Sequence, residues 1–311
     1  MEQTHSIFTL TPNPSIDKSA LVAQVIAEHK LRCEAPTFEP GGGGINVARA
    51  VYKLGGQARA LYLAGGFSGR LLESLLDNEN INHRRIAIEG WTRENLTIYE
   101  ESSGQQYRFG MPGPVIKTAE WQQCLEQLQS ESADFIVASG SLPPGAPQDA
   151  YARLAQLARE RNSKLVMDTS SPAFQHALEA GVYLIKPNLR ELSLWADQPI
   201  EDETHLHNIV TDIVKQELSE IVMVSLGAGG ALCVSKDQTL RLNAPMVPIQ
   251  SKVGAGDSMV AGMVFSLACG KSLDKAARYG VAAGTAAVMT PGSELCRLED
   301  VEKLYPQITS S

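Results

Sequence analysis

The stretch Gly254-Ala255-Gly256-Asp257-Ser258 runs straight into the apolar segment Met259-Val260-Ala261-Gly262-Met263-Val264. A carboxylate therefore stands between two residues without a Cβ and the opening turn of a helix. Gly254 and Gly256 let backbone N–H groups approach an anion closely. The helix start, with Ala255, adds unpaired donors and a partial positive charge. Such a corner suits a phosphate, or the charge that develops on one during transfer. A carboxylate beside that anion is electrostatically unwelcome unless it takes a proton from an attacking hydroxyl. On local grounds the stretch also fits a loop closed by an Asp at a helix N-cap.

A second glycine cluster lies near the other end, in Pro40-Gly41-Gly42-Gly43-Gly44-Ile45-Asn46-Val47-Ala48-Arg49. Four glycines are entropically costly to order, which implies a close backbone approach to something. The apolar periodicity that begins at Ile45 leaves no polar spacer, so a flexible linker fits poorly. Asn46 would sit in the first turn of the following helix, facing whatever the glycines cradle. Asp17 follows the turn Pro12-Asn13-Pro14 at the exit of the first β-prone run, Ile7 to Thr11, where it would grip hydroxyls or cap the turn.

The elements that must position these residues alternate. Strand patterns at Ala60–Ala64, Phe135–Ser139, Leu165–Met167, Tyr183–Lys186 and Ile221–Val224 are separated by helical patterns, and each ends in polar or glycine residues. Those ends include Ser141, Asp168, Asn188 and Ser225. Buried apolar strands alternating with helices predict a parallel sheet covered on both faces, with a site along one edge. Two pieces break the rhythm: Ala20–Val25 with Leu31–Phe38, and Arg93–Glu101 with Gln105–Phe109 around Ser102-Ser103-Gly104. Both read as hairpins, together a small antiparallel sheet standing off the main domain.

With 311 residues, 43% hydrophobic and 20% charged, the chain can bury a large core. A net charge of −8 argues against nucleic acid, which needs a basic face. No apolar run has the length of a membrane span, and Met1–Ser6 lacks a basic, signal-type start, so a cytoplasmic location is expected. Five scattered cysteines without a CxxC pair read as reduced thiols. Two common phosphate motifs fail. Phe265 occupies the position where Gly270-Lys271-Ser272 would need a glycine for a P-loop, and Leu232 breaks a dinucleotide fingerprint begun by Gly227 and Gly229.

The glycine stretch Gly41–Ala48 and the stretch Val253–Ser258 together resemble the two signatures of the ribokinase-like (PfkB) carbohydrate kinases. Lys186-Pro187-Asn188-Leu189-Arg190-Glu191 is similar to that family's Asn-x-x-Glu motif. Within the family, Lys30 to Cys33, Trp91-Thr92-Arg93 and Gln106 to Phe109 look most like the bacterial minor-type 6-phosphofructokinases. The resemblance covers essentially the whole chain and implies a three-layer α/β/α core (residues 1–16, 39–91 and 112–311) with a β-sheet lid (17–38 and 92–111). It implies ATP-dependent phosphorylation of a sugar phosphate, fructose 6-phosphate to fructose 1,6-bisphosphate, with tagatose 6-phosphate or fructose 1-phosphate as alternative acceptors. A sugar-phosphate sensor that binds without turnover is the alternative from another class, and the intact Asp257, Gly254 and Gly256 speak against it.

By the same resemblance Asp257 is the base, and the Gly254, Ala255 and Gly256 amides form the anion hole. Asp17, Gly42, Gly43 and Asn46 hold the sugar, while Lys30, Arg93 and Ser141 meet its phosphate. Lys186, Asn188, Ser225, Gly227, Gly230 and Lys252 border ATP. Asn188, Glu191 and Asp168 organise Mg²⁺ through water, and Asn188 with Glu191 equally forms a helix capping box. Ser251, Val253, Ala287, Thr290 and Gly292 would supply a K⁺ site, although Lys252, Thr290, Pro291 and Glu294 depart from the family pattern. Lids of two subunits are implied to pair in a homodimer.

Overall fold

The computed structural model describes residues 5–169 and 172–310, so Met1–Thr4 of the opening stretch lie outside the described residues. The first half runs β1 (Ile7–Thr11), β2 (Ser15–Val22), β3 (Thr37–Gly41), α1 (Gly43–Lys53), β4 (Arg59–Ala64), α2 (Gly66–Asn78), β5 (His83–Ala87), β6 (Arg93–Glu100) and β7 (Gln106–Phe109). Then follow α3 (Thr118–Ser130), β8 (Phe135–Ser139), α4 (Ala150–Glu160), β9 (Lys164–Asp168), α5 (Pro172–Glu179), β10 (Val182–Ile185), α6 (Leu189–Trp195) and α7 (Glu203–Lys215). The chain closes with β11 (Ser219–Ser225), β12 (Ala231–Ser235), β13 (Thr239–Asn243), α8 (Ala255–Ala268), α9 (Leu273–Ala287), α10 (Leu298–Leu304) and β14 (Thr309–Ser310).

The large sheet has the order β14-β13-β12-β11-β10-β9-β8-β1-β4-β5. It is parallel from β11 to β5 and antiparallel beyond β11. Successive strand residues feed opposite layers: Phe135 and Val137 join the core beneath α1, α8 and α9, while Ile136 and Ala138 join the core beneath α3, α4 and α7. This is why the strands read as continuous apolar runs. The order reverses at β1, which pairs with β4 on one side and β8 on the other. A crevice opens at the carboxyl ends of strands on either side of such a switch.

The helix that carries Asp257, α8, is apolar nearly all round, with Met259, Val260, Ala261, Met263 and Val264 buried. It crosses α9 closely because Gly262 has no side chain; a Cβ there would stand 2.8 Å from that of Ala283. Burial on every side makes α8 a rigid platform.

A second sheet, order β3-β2-β6-β7, is the small sheet expected from the two irregular pieces, named the lid for the position the resemblance implies. Its outer pairs are antiparallel, but its centre is the parallel pair β2·β6. The expected first hairpin is displaced: the strands are Ser15–Val22 and Thr37–Gly41, and residues 23–36 form the connection apart from one bridge between Val22 and Cys33. Strand β3 reaches into the glycine run, because Gly41 must lie flat against Ser15 and Asp17. Among the described residues no helix is long and apolar enough to cross a membrane. None of the five cysteines forms a disulfide, and Cys124, Cys233 and Cys296 fill the core.

Candidate active site

Gly254 caps α8 in the left-handed region (φ 74°), where a Cβ would collide with Leu295. That turn brings the Ala255 and Gly256 amides to the helix start and sets Asp257 in its first turn. Asn46, in the first turn of α1, donates its Nδ2 to Asp257 Oδ2 at 2.9 Å. The two glycine signatures, far apart in sequence, thus meet through one hydrogen bond. Burial lifts the Asp257 carboxyl, Asp168 and Asp17 push it the same way, and Asn46 and Lys186 pull it down. The outcome is a pKa of about 7, which suits a general base working near neutral pH.

Beside the start of α8 lies a buried cation. Lys186, 5% exposed, pairs with Asp168 at 3.1 Å, and both follow from strand ends, β10 and β9. Burial by itself lowers the Lys186 ammonium, yet Asp168, Glu191 and Asp257 outweigh it and raise it above the ordinary lysine value. A Cβ on Gly256 would stand 3.3 Å from Lys186 Nζ and 3.9 Å from Asp168 Oδ2. The glycine therefore leaves room for the Lys186 ammonium beside the helix start.

The first glycine run presses on the ends of β1 and β8. A Cβ on Gly43 would lie 2.1 Å from Ser139 Oγ, and one on Gly44 2.5 Å from the Leu10 carbonyl. Gly42 has φ 114°, open only to a residue without a side chain. Ser141, just past β8, accepts from Asn13 Nδ2 at 3.2 Å.

The lid supplies the facing wall. Its register sets Ser15 opposite Arg93, Asp17 opposite Asn95 and Ser19 opposite Thr97, and on the other side Asp17 opposite Glu39. Asp17 Oδ1 accepts from Ser15 Oγ at 2.8 Å and from Asn95 Nδ2 at 2.9 Å. Glu39 Oε2 accepts from the Ser293 N–H at 3.3 Å and so ties this polar face to the core. Between them is a small open cleft, lined by Asp17, Glu39, Asn95, Arg108, Val253 and Ser293 among others. Arg93 donates to the carbonyls of Asn13 (2.9 Å), Met111 (3.2 Å) and Pro14 (3.4 Å). Among the described residues it pairs with no carboxylate, and burial lowers its pKa against a smaller opposing effect of Asp17. A half-buried guanidinium held only by neutral carbonyls keeps its charge uncompensated, the condition under which an arginine can pair with an anion.

On the nucleotide side, Asn188 and Glu191 form a complete capping box on α6: Glu191 N–H to Asn188 Oδ1 and Asn188 N–H to Glu191 Oε2, both 2.9 Å. The capping-box reading of that motif is thus the one realised in the hydrogen bonds at this helix start. Ser225 pairs with Asn188 by a β-bridge, Gly227 begins a short 3₁₀ turn, and Gly230 (φ 86°) closes it. The segments 250–253 and 287–292 run side by side, since the Val288 carbonyl accepts from Gln250 N–H (2.8 Å) and Ser251 N–H (3.3 Å). Thr290 turns its hydroxyl inward to the Ala287 (2.8 Å) and Leu295 (2.9 Å) carbonyls. Lys252 is exposed. Lys30 is also exposed, in the connection before β3, and makes no hydrogen bond or ion pair among the described residues, so the single chain does not bring it to the cleft.

Three residues were not singled out from sequence: Asn95, Glu39 and Arg49. Asn95 is signalled only by register, which the sequence does not print. Arg49 carries a usable signal, a charge on the buried face of an amphipathic helix three residues after Asn46.

Residues 12–300 match the model of the pfkB family carbohydrate kinases. The chain belongs to that family. The ATP-dependent 6-phosphofructokinase isozyme 2 of Escherichia coli K12 is 43% identical over 305 residues, covering 97% of this chain and 99% of that one. Crystal structures of the Escherichia coli phosphofructokinase-2 are similar over 97% of this chain and 99% of theirs. The potassium complex gives a TM-score of 0.95 at 42% identity and the fructose-6-phosphate complex 0.93 at 41%. The tetrameric inhibited form gives 0.92 at 42%. For this pfkB kinase the two glycine signatures are therefore family features that the fold has brought face to face.

Proposed function

We propose that this pfkB kinase transfers the γ-phosphoryl group of ATP to fructose 6-phosphate, giving fructose 1,6-bisphosphate. The observation that carries the reading is the hydrogen bond by which Asn46 of the first glycine run holds Asp257, a buried carboxylate poised near neutral pH at the start of α8. Arg93, whose guanidinium is held by backbone carbonyls and not by a carboxylate, adds a cation on the second sheet. The identity to the Escherichia coli 6-phosphofructokinase supports it.

In this mechanism Asp17 and Asn46 orient the sugar, and Gly42 and Gly43 allow its close approach. Asp257 takes the proton from the attacking hydroxyl as its oxygen bonds to the γ-phosphorus and the bond to ADP breaks. The Gly254, Ala255 and Gly256 amides and Lys186 stabilise charge on the transferring group. Arg93, with Ser141 nearby, receives the acceptor's phosphate, and Lys30 reaches a phosphate only if its loop moves or a second subunit presents it. ATP borders Asn188, Ser225, Gly227, Gly230 and Lys252.

The residues present fit Mg²⁺ held through water: Asp168 and Glu191 are gathered closely enough that both act on the Lys186 ammonium. Asn188, Glu191 and Asp168 would orient its waters, as suits an ion that keeps several of them while neutralising phosphate charge. K⁺ would sit on carbonyls of Ser251, Val253, Ala287, Thr290 and Gly292, a reading supported by the potassium complex of the Escherichia coli relative. The lid, residues 17–38 and 92–111, leaves Leu31, Phe38 and Phe109 exposed, and we assign that surface to a homodimer of this cytoplasmic enzyme.

The test is ADP release with Mg·ATP against fructose 6-phosphate, tagatose 6-phosphate, fructose 1-phosphate, fructose, ribose and adenosine. Fructose 6-phosphate should give the highest kcat/KM. A preference for a neutral acceptor would remove Arg93 from the acceptor site.

A further inference from the structure

Arg49 lies on the buried face of α1 with 3% of its surface exposed. Its Nε and Nη2 donate to the two oxygens of Glu79, each at 2.7 Å, so the charge is met on the side away from the cleft. Nη1 points inward and shares its protons among the carbonyls of Pro40 (3.2 Å) and Ser293 (3.2 Å) and the Asn46 side-chain oxygen (3.3 Å). An asparagine amide can be turned either way round, and here only one orientation offers Arg49 an acceptor and Asp257 a donor. We propose that Arg49 is a positioning residue for phosphoryl transfer: it holds the Asn46 carbonyl so that the amide nitrogen faces Asp257, and it fixes the glycine loop and the 290–294 loop around that carboxylate. This rests on reading Asp257 as the base. Arg49 acts through Asn46 and not by neutralising Asp257, which faces Lys186, Asp168 and Asp17 instead.

Two variants test it. Arg49→Lys keeps a cation for Glu79 but loses the planar fork. The double variant R49M/E79Q removes both charges and strands neither, which keeps the test open if the lysine variant fails to fold. Both should lower kcat by about ten- to hundredfold, the loss expected when a reacting group is slightly misplaced, with KM for ATP changed less than about twofold. Glu79→Gln alone should keep kcat within about twofold. In an Asn46→Ala background Arg49→Lys should cost a markedly smaller factor, since coupled residues are non-additive. Wild-type kcat in both folded Arg49 variants overturns the proposal. So does an equal factor lost with and without Asn46, which would mark a general structural role. Full turnover by Asp257→Asn would instead strike the base assignment, a result read separately from the Arg49–Asn46 coupling.

Discussion

Asn46 Nδ2 and Asp257 Oδ2 are 2.9 Å apart although 211 residues separate them in the chain. The bond joins the first turns of α1 and α8, the helices that follow the two glycine signatures. It occupies one carboxylate oxygen with a neutral donor, and Oδ1 makes no hydrogen bond among the described residues. One oxygen is thus held while the other stays free to receive a proton.

Asp257→Asn keeps the shape of that contact and removes the base. We expect kcat to fall by about 10²–10⁴-fold, with ATP binding intact by calorimetry. Turnover near the wild-type rate would take the proton-accepting role away from this residue.

The raised carboxyl sets a pH limb. Asp257 must be ionised to accept a proton, so kcat/KM should fall about tenfold per pH unit below about 7. A profile flat between pH 5 and 8 would contradict it.

The same shift costs stability. A carboxyl at about 7 in the fold against 3.8 unfolded contributes stability that is complete below 3.8 and lost progressively as pH rises to about 7. Asp257→Asn should therefore raise the melting temperature of the ligand-free protein more at pH 8 than at pH 5. The gain should be on the order of a few kcal/mol at most. An equal gain at both pH values would show that burial of this carboxylate is not strained.

Arg93→Ala should raise KM for fructose 6-phosphate by at least about tenfold, the loss of one charge-assisted pair, and leave KM for ATP within about twofold. Equal effects on both would place Arg93 outside the acceptor site.

Gly43→Ala drives a methyl group into Ser139 Oγ, 2.1 Å from the ideal Cβ. We expect a loss of about 1–3 kcal/mol in urea denaturation and a higher KM for the sugar. Ser139→Gly in the same chain should recover most of it; no recovery would put the clash elsewhere, with the Gly140 backbone 3.1 Å away as the next obstacle.

The alternation of strands and helices was legible because buried parallel strands carry their apolar character locally, and both glycine signatures announced backbone approach by composition alone. Asp257 and Asn46 were legible for the same reason, each lying beside its glycines. Asn95 was not, since its partner Asp17 is 78 residues away and only strand register joins them. The boundaries of β2 and β3 were missed because alternation around Glu28–Lys30 suggests a local hairpin. The real pairing sets Ser15–Ser19 against Thr37–Gly41, and it starts at Pro40 and Gly41, which read locally as turn formers. Lys30 illustrates the converse: its charge was obvious, but its place depends on what approaches an exposed loop.

The parallel pair at the centre of the lid has a consequence for how the chain is made. Strand β2 is synthesised early, yet its eight-residue partner β6 follows only after β3, α1, β4, α2 and β5. During that interval one edge of β2 has bare N–H and C=O groups, the kind of template that recruits stray strands. Long-range pairing of this sort forms late in folding. Pulse-labelled hydrogen exchange during refolding should protect β1 amides before those of β2 that face β6, and the reverse order would refute this sequence of events. Chaperone dependence of the nascent protein should then centre on the window before residue 100 leaves the ribosome.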